Sequence, residues 1–214
     1  YFNYDSFKKI IIPEHDSSKF KSLSNLLITK GTLVDKSKFR KNKVDLKKLE
    51  NFLIKRKKIL LLIGGNGRSS QITKNDIVDV LKEMNKLYQK FQIIYCFSRR
   101  TSKKIKDFIK MNSNENCIFF PIKNFNPYWA LLNISDFLFV TEDSVSMTSD
   151  ALSTGKPTYI IPVKNKKKKI QEFQEKIRKE GLTKVYKSNL KTWSYKRFDE
   201  SKRVSRQLEK FLIF

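Results

Sequence analysis

Short apolar runs alternate with amphipathic stretches along most of this chain. The runs have the length of strands and are dense in Ile, Leu, Val and Phe, which is typical of strands buried on both faces of a parallel sheet. We predict strands at residues 9–13, 58–63, 92–97, 117–121, 137–140, 158–162 and 184–186, and a further one at residues 25–29.

The stretches between these runs carry apolar residues at helical spacing. In residues 75–90, for example, Ile77, Leu81 and Met84 fall on one stripe of a helix. Because strands and helices alternate, we predict right-handed crossovers and an α/β fold with a doubly wound, mostly parallel, Rossmann-like sheet. The predicted helices are residues 45–55, 75–90, 101–111, 127–133, 145–154, 167–179 and 199–214.

The same pattern predicts three parts along the chain. Residues 16–43 are polar and irregular, and we interpret residues 1–44 as the remnant of a preceding domain with a linker. Residues 45–198 are predicted to form the Rossmann-like domain, and residues 199–214 a helix that packs back onto the body. Tyr1 is not an initiator Met and the first residues resemble no signal peptide, so we expect a chain truncated at its start.

The formal net charge of +25 raises the question of nucleic-acid binding. Only nine of the 46 basic residues are Arg, the side chain that makes bidentate contacts with bases and phosphates. The Lys residues are spread over the whole chain, which favours a solvated surface over a dedicated nucleic-acid face. We therefore do not expect specific nucleic-acid binding, whereas attraction to an anionic membrane surface follows from the charge alone.

Cysteine and histidine are scarce in this sequence. Cys96 and Cys117 lie inside apolar runs and are interpreted as core residues, and His15 is the only histidine. We therefore expect no zinc site of His and Cys ligands, assign no metal ligands and expect no tightly bound cofactor. No apolar run reaches the roughly 18 residues that cross a bilayer. These features favour a cytoplasmic setting, with peripheral membrane contact as an addition.

Ligands of an open α/β sheet bind beyond the carboxyl ends of its strands, so the residues there are the candidates for a site. Gly64 and Gly65 follow the strand at residues 58–63 and allow the backbone to approach a ligand closely. Their spacing matches neither the GxGxxG motif of dinucleotide-binding folds nor a P-loop, since no GK[ST] follows. We predict a ligand-facing loop, with a flexible turn as the alternative.

The next strand is followed by two adjacent arginines. Arg99 and Arg100 suit an anionic ligand at this position, with Ser98 as a further candidate contact, and Ser98 or Thr101 is predicted to cap the following helix. A capping turn with two surface arginines is the alternative.

A third turn contains Asn126, Pro127 and Tyr128. Proline suits the first position of a helix, and Asn126 is predicted to cap that helix. Asn126 is also a candidate ligand contact, although plain helix initiation explains most of the motif.

The segment after the strand at residues 137–140 is the most informative. Small hydroxyl residues cluster there where a strand turns into a helix, and a helix N-terminus holds phosphate well. Ser144 and Ser146 are candidate donors to such a phosphate, beside Asp143. Asp150 lies one helical turn further on, where a carboxylate can accept from ribose hydroxyls. The alternative is that Ser144 is only a helix cap, with Asp143 favourable to the helix dipole.

These residues occur in a recognisable order. The sequence contains Pro13-Glu14-His15-Asp16, Thr29-Lys30-Gly31, Ile63-Gly64-Gly65, Ser98-Arg99-Arg100-Thr101, Asn126-Pro127-Tyr128, Val140-Thr141-Glu142-Asp143-Ser144-Val145-Ser146-Met147, Asp150-Ala151 and Thr154-Gly155-Lys156-Pro157. As a set spanning nearly the whole chain, they resemble the plant "elongated mitochondria" family, which is associated with mitochondrial fission, and its bacterial relatives.

The resemblance implies a GT-B fold, in which two Rossmann-like domains face each other across a cleft. Residues 140–162 are similar to the nucleotide-sugar-binding half of such enzymes, including the transferase that completes lipid II. By that likeness Ser144 and Ser146 contact the diphosphate of a nucleoside-diphosphate sugar, and Asp150 contacts its ribose. The family usually has Glu at the position of Asp150, and Gly31 is expected near the domain linker.

The family's first domain would precede Pro13, and we expect most of it to be missing. Its acceptor site and catalytic base would lie there, which leaves Glu14 and His15 as candidate catalytic residues, with a loop-capping turn as the alternative. Two functions follow. One is a glycosyltransferase-like enzyme in which Arg99 or Arg100 neutralises the leaving group without a metal. The other is a non-catalytic fission protein associated with a membrane.

Overall fold

A computed structural model describes residues 3–20, 22–40 and 43–212 of the chain. Its strands are β1 (Ile10–Pro13), β2 (Leu26–Thr29), β3 (Lys57–Ile63), β4 (Ser70–Gln71), β5 (Phe91–Phe97), β6 (Ile118–Phe120), β7 (Phe137–Thr141), β8 (Thr158–Ile161), β9 (Asn165–Lys166) and β10 (Thr183–Val185). Its α-helices are α1 (Ser37–Arg40), α2 (Lys43–Leu49), α3 (Lys74–Leu87), α4 (Lys103–Asn112), α5 (Tyr128–Ile134), α6 (Val145–Ser153), α7 (Lys168–Lys179) and α8 (Glu200–Leu212).

Six strands form one parallel sheet in the order β10-β8-β7-β3-β5-β6. From β3 the chain moves outward through β5 to β6, then returns to the other side of β3 and continues outward through β7, β8 and β10. The strand order therefore reverses between β3 and β7. In doubly wound folds, the crevice at the carboxyl ends of two such strands is where ligands bind.

The core follows from the alternation of side chains along β3, whose last five residues are buried. Ile59, Leu61 and Ile63 face the helices α3 and α4 on one side of the sheet. Leu60 and Leu62 face α2, α5 and α6 on the other side. Burial on both faces explains why the predicted strands are almost continuously apolar. Cys96 and Cys117 are free and buried, which confirms them as core residues.

The first and last elements pack on each other. Strands β1 and β2 form a separate two-stranded parallel sheet. Helix α8 contacts the segment that follows β2: Glu200 accepts from the backbone N–H of Lys30 (2.9 Å), and the Ser201 hydroxyl donates to the Val34 carbonyl (2.8 Å). The predicted division of the chain into three parts stays a prediction.

The predicted sheet is confirmed, and each predicted strand lies within two residues of the observed one. The strands β4 and β9 were not predicted. They pair antiparallel, Ser70 opposite Lys166, and join the loop after β3 to the start of α7. The predicted C-terminal helix is present as α8, and its last two positions, 213 and 214, lie outside the described residues.

The helix predicted at residues 45–55 is too long, because α2 ends at Leu49 and a 3₁₀ turn follows at Glu50–Phe52. The side chain of Gln92 explains the difference. It donates to the Phe52 carbonyl (2.6 Å) and accepts from the Ile54 N–H (3.3 Å), so these backbone groups are paired outside a helix. The interpretation of residues 16–43 as irregular is also incomplete, since the segment contains part of the 3₁₀ helix Glu14–Phe20, β2 and α1.

Candidate functional site

At the crevice between β3 and β7, the two loops that leave these strands are joined by hydrogen bonds. The N–H of Gly64 donates to the Thr141 hydroxyl (2.8 Å), and the N–H of Gly65 donates to Oδ2 of Asp143 (3.1 Å). A Cβ atom at position 64 would collide with the Asp143 carboxylate. The two glycines therefore serve a close approach between β3 and β7 as well as any approach to a ligand.

The loop after β5 packs on the same glycines. A Cβ atom at position 65 would overlap the peptide group that joins Arg100 to Thr101. The N–H of Asn66 donates to the Arg100 carbonyl (3.2 Å), and the Thr101 hydroxyl donates to the Ile63 carbonyl (2.9 Å). The ends of β3, β5 and β7 thus form one continuous hydrogen-bonded edge.

Asp143 is a buried carboxyl group of this edge, with 5% of its surface exposed. Burial raises the pKa of Asp143, while hydrogen bonds from Thr141 and Gly65 and the charge of Arg100 act in the opposite direction. Its Oδ1 atom is buried and has no hydrogen-bond partner among the described residues. Burying a carboxylate costs free energy, and the hydrogen bonds that Asp143 makes with the two loops offset that cost.

Helix α6 begins at this edge. Ser144 is its N-cap, and the Ser144 hydroxyl accepts from the N–H of Met147 (3.2 Å). The N–H groups of Val145 and Ser146 have no acceptor among the described residues. Ser144 is buried and Ser146 is exposed, so the accessible part of this helix end is at Ser146. A helix N-terminus with free N–H groups attracts anions.

Asp150 lies one turn further along α6 and is paired. Its Oδ2 atom accepts from the hydroxyl of Tyr128, the first residue of α5, at 2.9 Å. Burial raises the pKa of Asp150 to about 6, and the hydrogen bond from Tyr128 and the charge of Lys38 limit that rise. Burial, together with the neighbouring Asp150, raises the pKa of Tyr128 well above its ordinary value, so the hydroxyl keeps its proton.

The two arginines predicted for an anion are both exposed. Arg100 lies against Gly67, since a Cβ atom there would come within 2.8 Å of Nη1 of Arg100. The predicted caps are wrong: Ser102 caps α4 by accepting from the N–H of Ile105 (3.4 Å), while Ser98 accepts from the N–H of Arg100 (3.1 Å).

Asn126 is exposed but does not cap α5. The N-cap position of that helix is Pro127, which has no side-chain oxygen to accept a hydrogen bond. The Oδ1 atom of Asn126 instead accepts from the thiol of Cys96 (3.5 Å). Burial raises the pKa of Cys96 to about 12, so the thiol is protonated and can donate.

Glu14 and His15 lie elsewhere, on the 3₁₀ helix Glu14–Phe20 that packs on α7. Glu14 pairs with Lys176, and the His15 ring lies 6.0 Å from that of Phe173 between centroids. Burial lowers the pKa of His15. Among the described residues, the ion pairs of these two side chains are with their neighbour Asp16 and with α7, not with the loops after β3, β5 and β7. Their catalytic role stays a prediction.

Three residues of this region were assigned no role from the sequence, although all three lie within the motifs that carry the family resemblance. Thr141 ends β7 and binds Gly64 (2.8 Å), although a threonine at the end of an apolar run is unremarkable in sequence. Glu142 is buried and pairs with Lys166 (2.9 Å), which anchors the loop before α7. Tyr128 was part of a recognised motif, but its contact with Asp150 spans two helices.

The chain resembles known proteins in sequence and in fold. The chain matches the family described as mitochondrial fission ELM1 over residues 1–212. It is 30% identical over 163 residues to an uncharacterised protein of Rickettsia prowazekii, which covers 72% of this chain and 46% of that protein. It is 34% identical over 90 residues to the mitochondrial fission protein ELM1 of Arabidopsis thaliana, covering 41% of this chain and 21% of that protein.

Among solved structures, the chain resembles UDP-GlcNAc 2-epimerase of Methanocaldococcus jannaschii, solved in complex with UDP-GlcNAc and UDP. The TM-score is 0.55 at 17% identity, over 87% of this chain and 55% of that chain. The fold is the C-terminal half of a GT-B-type fold, and the chain spans about half the length of the Rickettsia relative. The family predicted from the motifs is confirmed, because its match extends over nearly every residue: the chain belongs to the mitochondrial fission ELM1 family.

Proposed function

We propose that this chain binds a nucleoside-diphosphate sugar at the carboxyl edge of its sheet, as the donor-binding half of a glycosyltransferase-like protein. The N-terminus of α6 carries the proposal. It opens at the point where the strand order reverses, and the N–H groups of Val145 and Ser146 have no acceptor among the described residues. A diphosphate placed there would meet the positive end of the helix dipole.

The surrounding residues suit the rest of such a ligand. Arg99 and Arg100 are exposed on the neighbouring loop and supply positive charge to the leaving diphosphate. Asp150 lies one turn along α6 from Ser146 and is partly exposed, so its carboxylate can accept from ribose hydroxyls. The epimerase with the same fold was solved with UDP-GlcNAc and UDP, which supports a ligand of this class.

In this proposal the glycine loop supports the site and does not itself bind the diphosphate. Gly64 and Gly65 already donate to Thr141 and Asp143 (2.8 and 3.1 Å), so their N–H groups are engaged. They hold the loops after β3 and β7 together, and we place the diphosphate nearer to Ser146. The Asp143 carboxylate then joins the loops and does not contact the ligand.

The second candidate function is a non-catalytic fission protein that binds an anionic membrane surface. The net charge of +25 and the exposed lysines of the β8–α7 connection favour it, since clustered lysines attract anionic headgroups. Among the described residues no helix is long and apolar enough to cross a membrane. A cytoplasmic location with peripheral membrane contact is part of this proposal.

A thermal-shift screen separates the two functions. The purified chain would be heated with UDP, GDP, ADP and CDP, and with inorganic tripolyphosphate as a polyanion without a nucleoside, at low and high salt. The donor-binding proposal predicts that one base stabilises more than the others and that the shift survives high salt. Equal shifts with every anion, including tripolyphosphate, that vanish at high salt would contradict it and favour the charged membrane surface.

A further inference from the structure

The hydrogen bond between Tyr128 and Asp150 joins the helix before β7 to the helix after it. Tyr128 is the first residue of α5, and Asp150 lies in the second turn of α6. The tyrosine hydroxyl and Oδ2 of Asp150 are 2.9 Å apart, which is a strong geometry for a donor and a carboxylate. The bond spans 22 residues of sequence, and Asp150 lies about one turn from the N-terminus of α6.

The bond has a fixed direction. Tyr128 keeps its proton, because burial and the neighbouring carboxylate raise its pKa well above the ordinary value. The tyrosine therefore donates to Asp150. One carboxylate oxygen is occupied, the rotation of the side chain is restricted, and Oδ1 is left as the acceptor that can serve another group.

We propose that Tyr128 is a positioning residue for ribose recognition, which holds Asp150 so that its second oxygen accepts from a ribose hydroxyl of the bound nucleotide. This inference rests on the proposed function and specifies which part of the ligand is read at this point. The ligand class is a nucleoside diphosphate with an intact ribose diol, as distinct from its deoxy analogues.

The hydrogen bond from Tyr128 matters because the Asp150 side chain can rotate. An aspartate on a helix can occupy more than one rotamer, and each rotamer that turns Oδ1 away from the ligand weakens the contact. A hydrogen bond that fixes the rotamer before binding removes this loss. A partly buried acceptor whose ligand hydroxyl is absent stays unpaired, so the site discriminates against deoxy ligands.

The alternative is that the bond only staples α5 to α6. Both roles predict some loss of stability when the hydroxyl is removed. Only the positioning role predicts a change in the ratio of affinities for ribose and deoxyribose ligands, so this ratio is the measurement.

The experiment is isothermal titration calorimetry of the full chain with UDP and with 2′,3′-dideoxy-UDP. The proteins are the wild type, Tyr128→Phe, Asp150→Asn and the control Tyr159→Phe. The Tyr159 hydroxyl also makes a partly buried hydrogen bond, to the Lys191 carbonyl (3.1 Å), but its ring belongs to the core on the other face of the sheet. Tyr159→Phe therefore removes the same atom without touching the ribose position.

We expect the wild type to prefer UDP about tenfold, in line with about one hydrogen bond to a charged group. Tyr128→Phe should reduce the preference to about threefold or less by weakening UDP binding alone, and Tyr159→Phe should keep the wild-type ratio. In the Asp150→Asn background, Tyr128→Phe should have no further effect on the ratio.

Two results would overturn the inference while leaving donor binding intact: a wild type that binds both ligands equally, or a Tyr128→Phe protein that keeps the tenfold preference. Independent losses in the Tyr128→Phe and Asp150→Asn proteins would do the same. A wild type that binds neither ligand would overturn the proposed function and this inference together. Should Tyr128→Phe fold poorly, the ratio in Asp150→Asn tests the ribose contact on which the inference rests, and a retained tenfold preference in that protein would overturn it.

Discussion

Two polar clusters in this chain were predicted to serve one site, and they are built differently. The edge after β3, β5 and β7 is held by buried hydrogen bonds between loops, such as Gly65 to Asp143 (3.1 Å). The segment with Glu14 and His15 is held to α7 by ion pairs whose partners are partly exposed, such as Lys169 to Asp16 (2.6 Å). Exposed ion pairs contribute little to stability, so only the first cluster is fixed by the fold itself.

The difference shows what topology contributes to a site. Parallel strands in a known order bring their carboxyl ends to one edge, whatever residues stand there. Glu14, His15 and Asp16 are adjacent in sequence but lie under no such constraint. Two of them therefore form ion pairs with the neighbouring helix α7. Variants in the two clusters test whether the first is as rigid, and as specific for a ligand, as this difference requires.

The largest effect is expected at Gly65. Its replacement by Ala would drive a Cβ atom into the Arg100–Thr101 peptide, and backbone cannot move aside as a flexible side chain can. We expect Gly65→Ala to lower the free energy of unfolding by about 3 kcal/mol. The control is Gly181→Ala, at a position with φ +75° and nothing within 4 Å, for which about 1 kcal/mol is expected. Urea unfolding that gives equal losses would show that the three loops are not tightly packed.

The next effect concerns the cost of keeping Asp150 in place. The pKa of this carboxyl is raised from 3.8 to about 6 in the folded chain, so its ionisation opposes folding as the pH rises from about 4 to above 6. Asp150→Asn removes that cost and should stabilise the protein by about 1 to 2 kcal/mol at pH 8, with the gain vanishing near pH 4.

Unfolding curves of both proteins at several pH values test this. If Asp150→Asn is stabilised equally at every pH, or is destabilised at pH 8, burial of the charged carboxylate does not lower the stability of the wild type. A gain in stability together with a loss of nucleotide binding would identify Asp150 as a residue retained for function.

The smallest effect is expected at His15. If the segment with Glu14 and His15 is separate from the donor site, His15→Asn should change the dissociation constant of UDP less than about twofold, because the ion pair and the ring contact of His15 are with Asp16 and with Phe173 of α7. Calorimetry at pH 7.5 measures it. A loss of tenfold or more would join the two clusters into one site and remove the distinction between them.

The sheet was predictable because its signal is local. Apolar runs of strand length mark β3, β5 and β7, and the alternation with helices fixes their direction, which is enough to bring Gly64, Gly65 and Asp143 together. The family resemblance added the expectation of a GT-B fold, which the sheet order alone does not specify.

The partners of individual side chains were not predictable in the same way. Gln92 binds the backbone after α2 although it lies 40 residues further along the chain. Tyr128 of α5 donates to Asp150 of α6, a contact between two separate helices. The cap of α4 was missed by one position because Ser98, Thr101 and Ser102 are all competent caps in sequence, and only the backbone geometry selects Ser102.

The most direct test of the central claim places a negative charge where the diphosphate is proposed to bind. Ser146→Asp adds a charge at the second position of α6, and Asn75→Asp adds the same charge at the second position of α3, at a site that is also exposed. An acid in the first turn is favourable to the helix dipole, so both proteins should unfold at the wild-type temperature or slightly above it. Titration with UDP should then show at least a tenfold loss of affinity in Ser146→Asp and none in Asn75→Asp. Wild-type affinity in Ser146→Asp, or equal losses in both proteins, would contradict a diphosphate site at the start of α6.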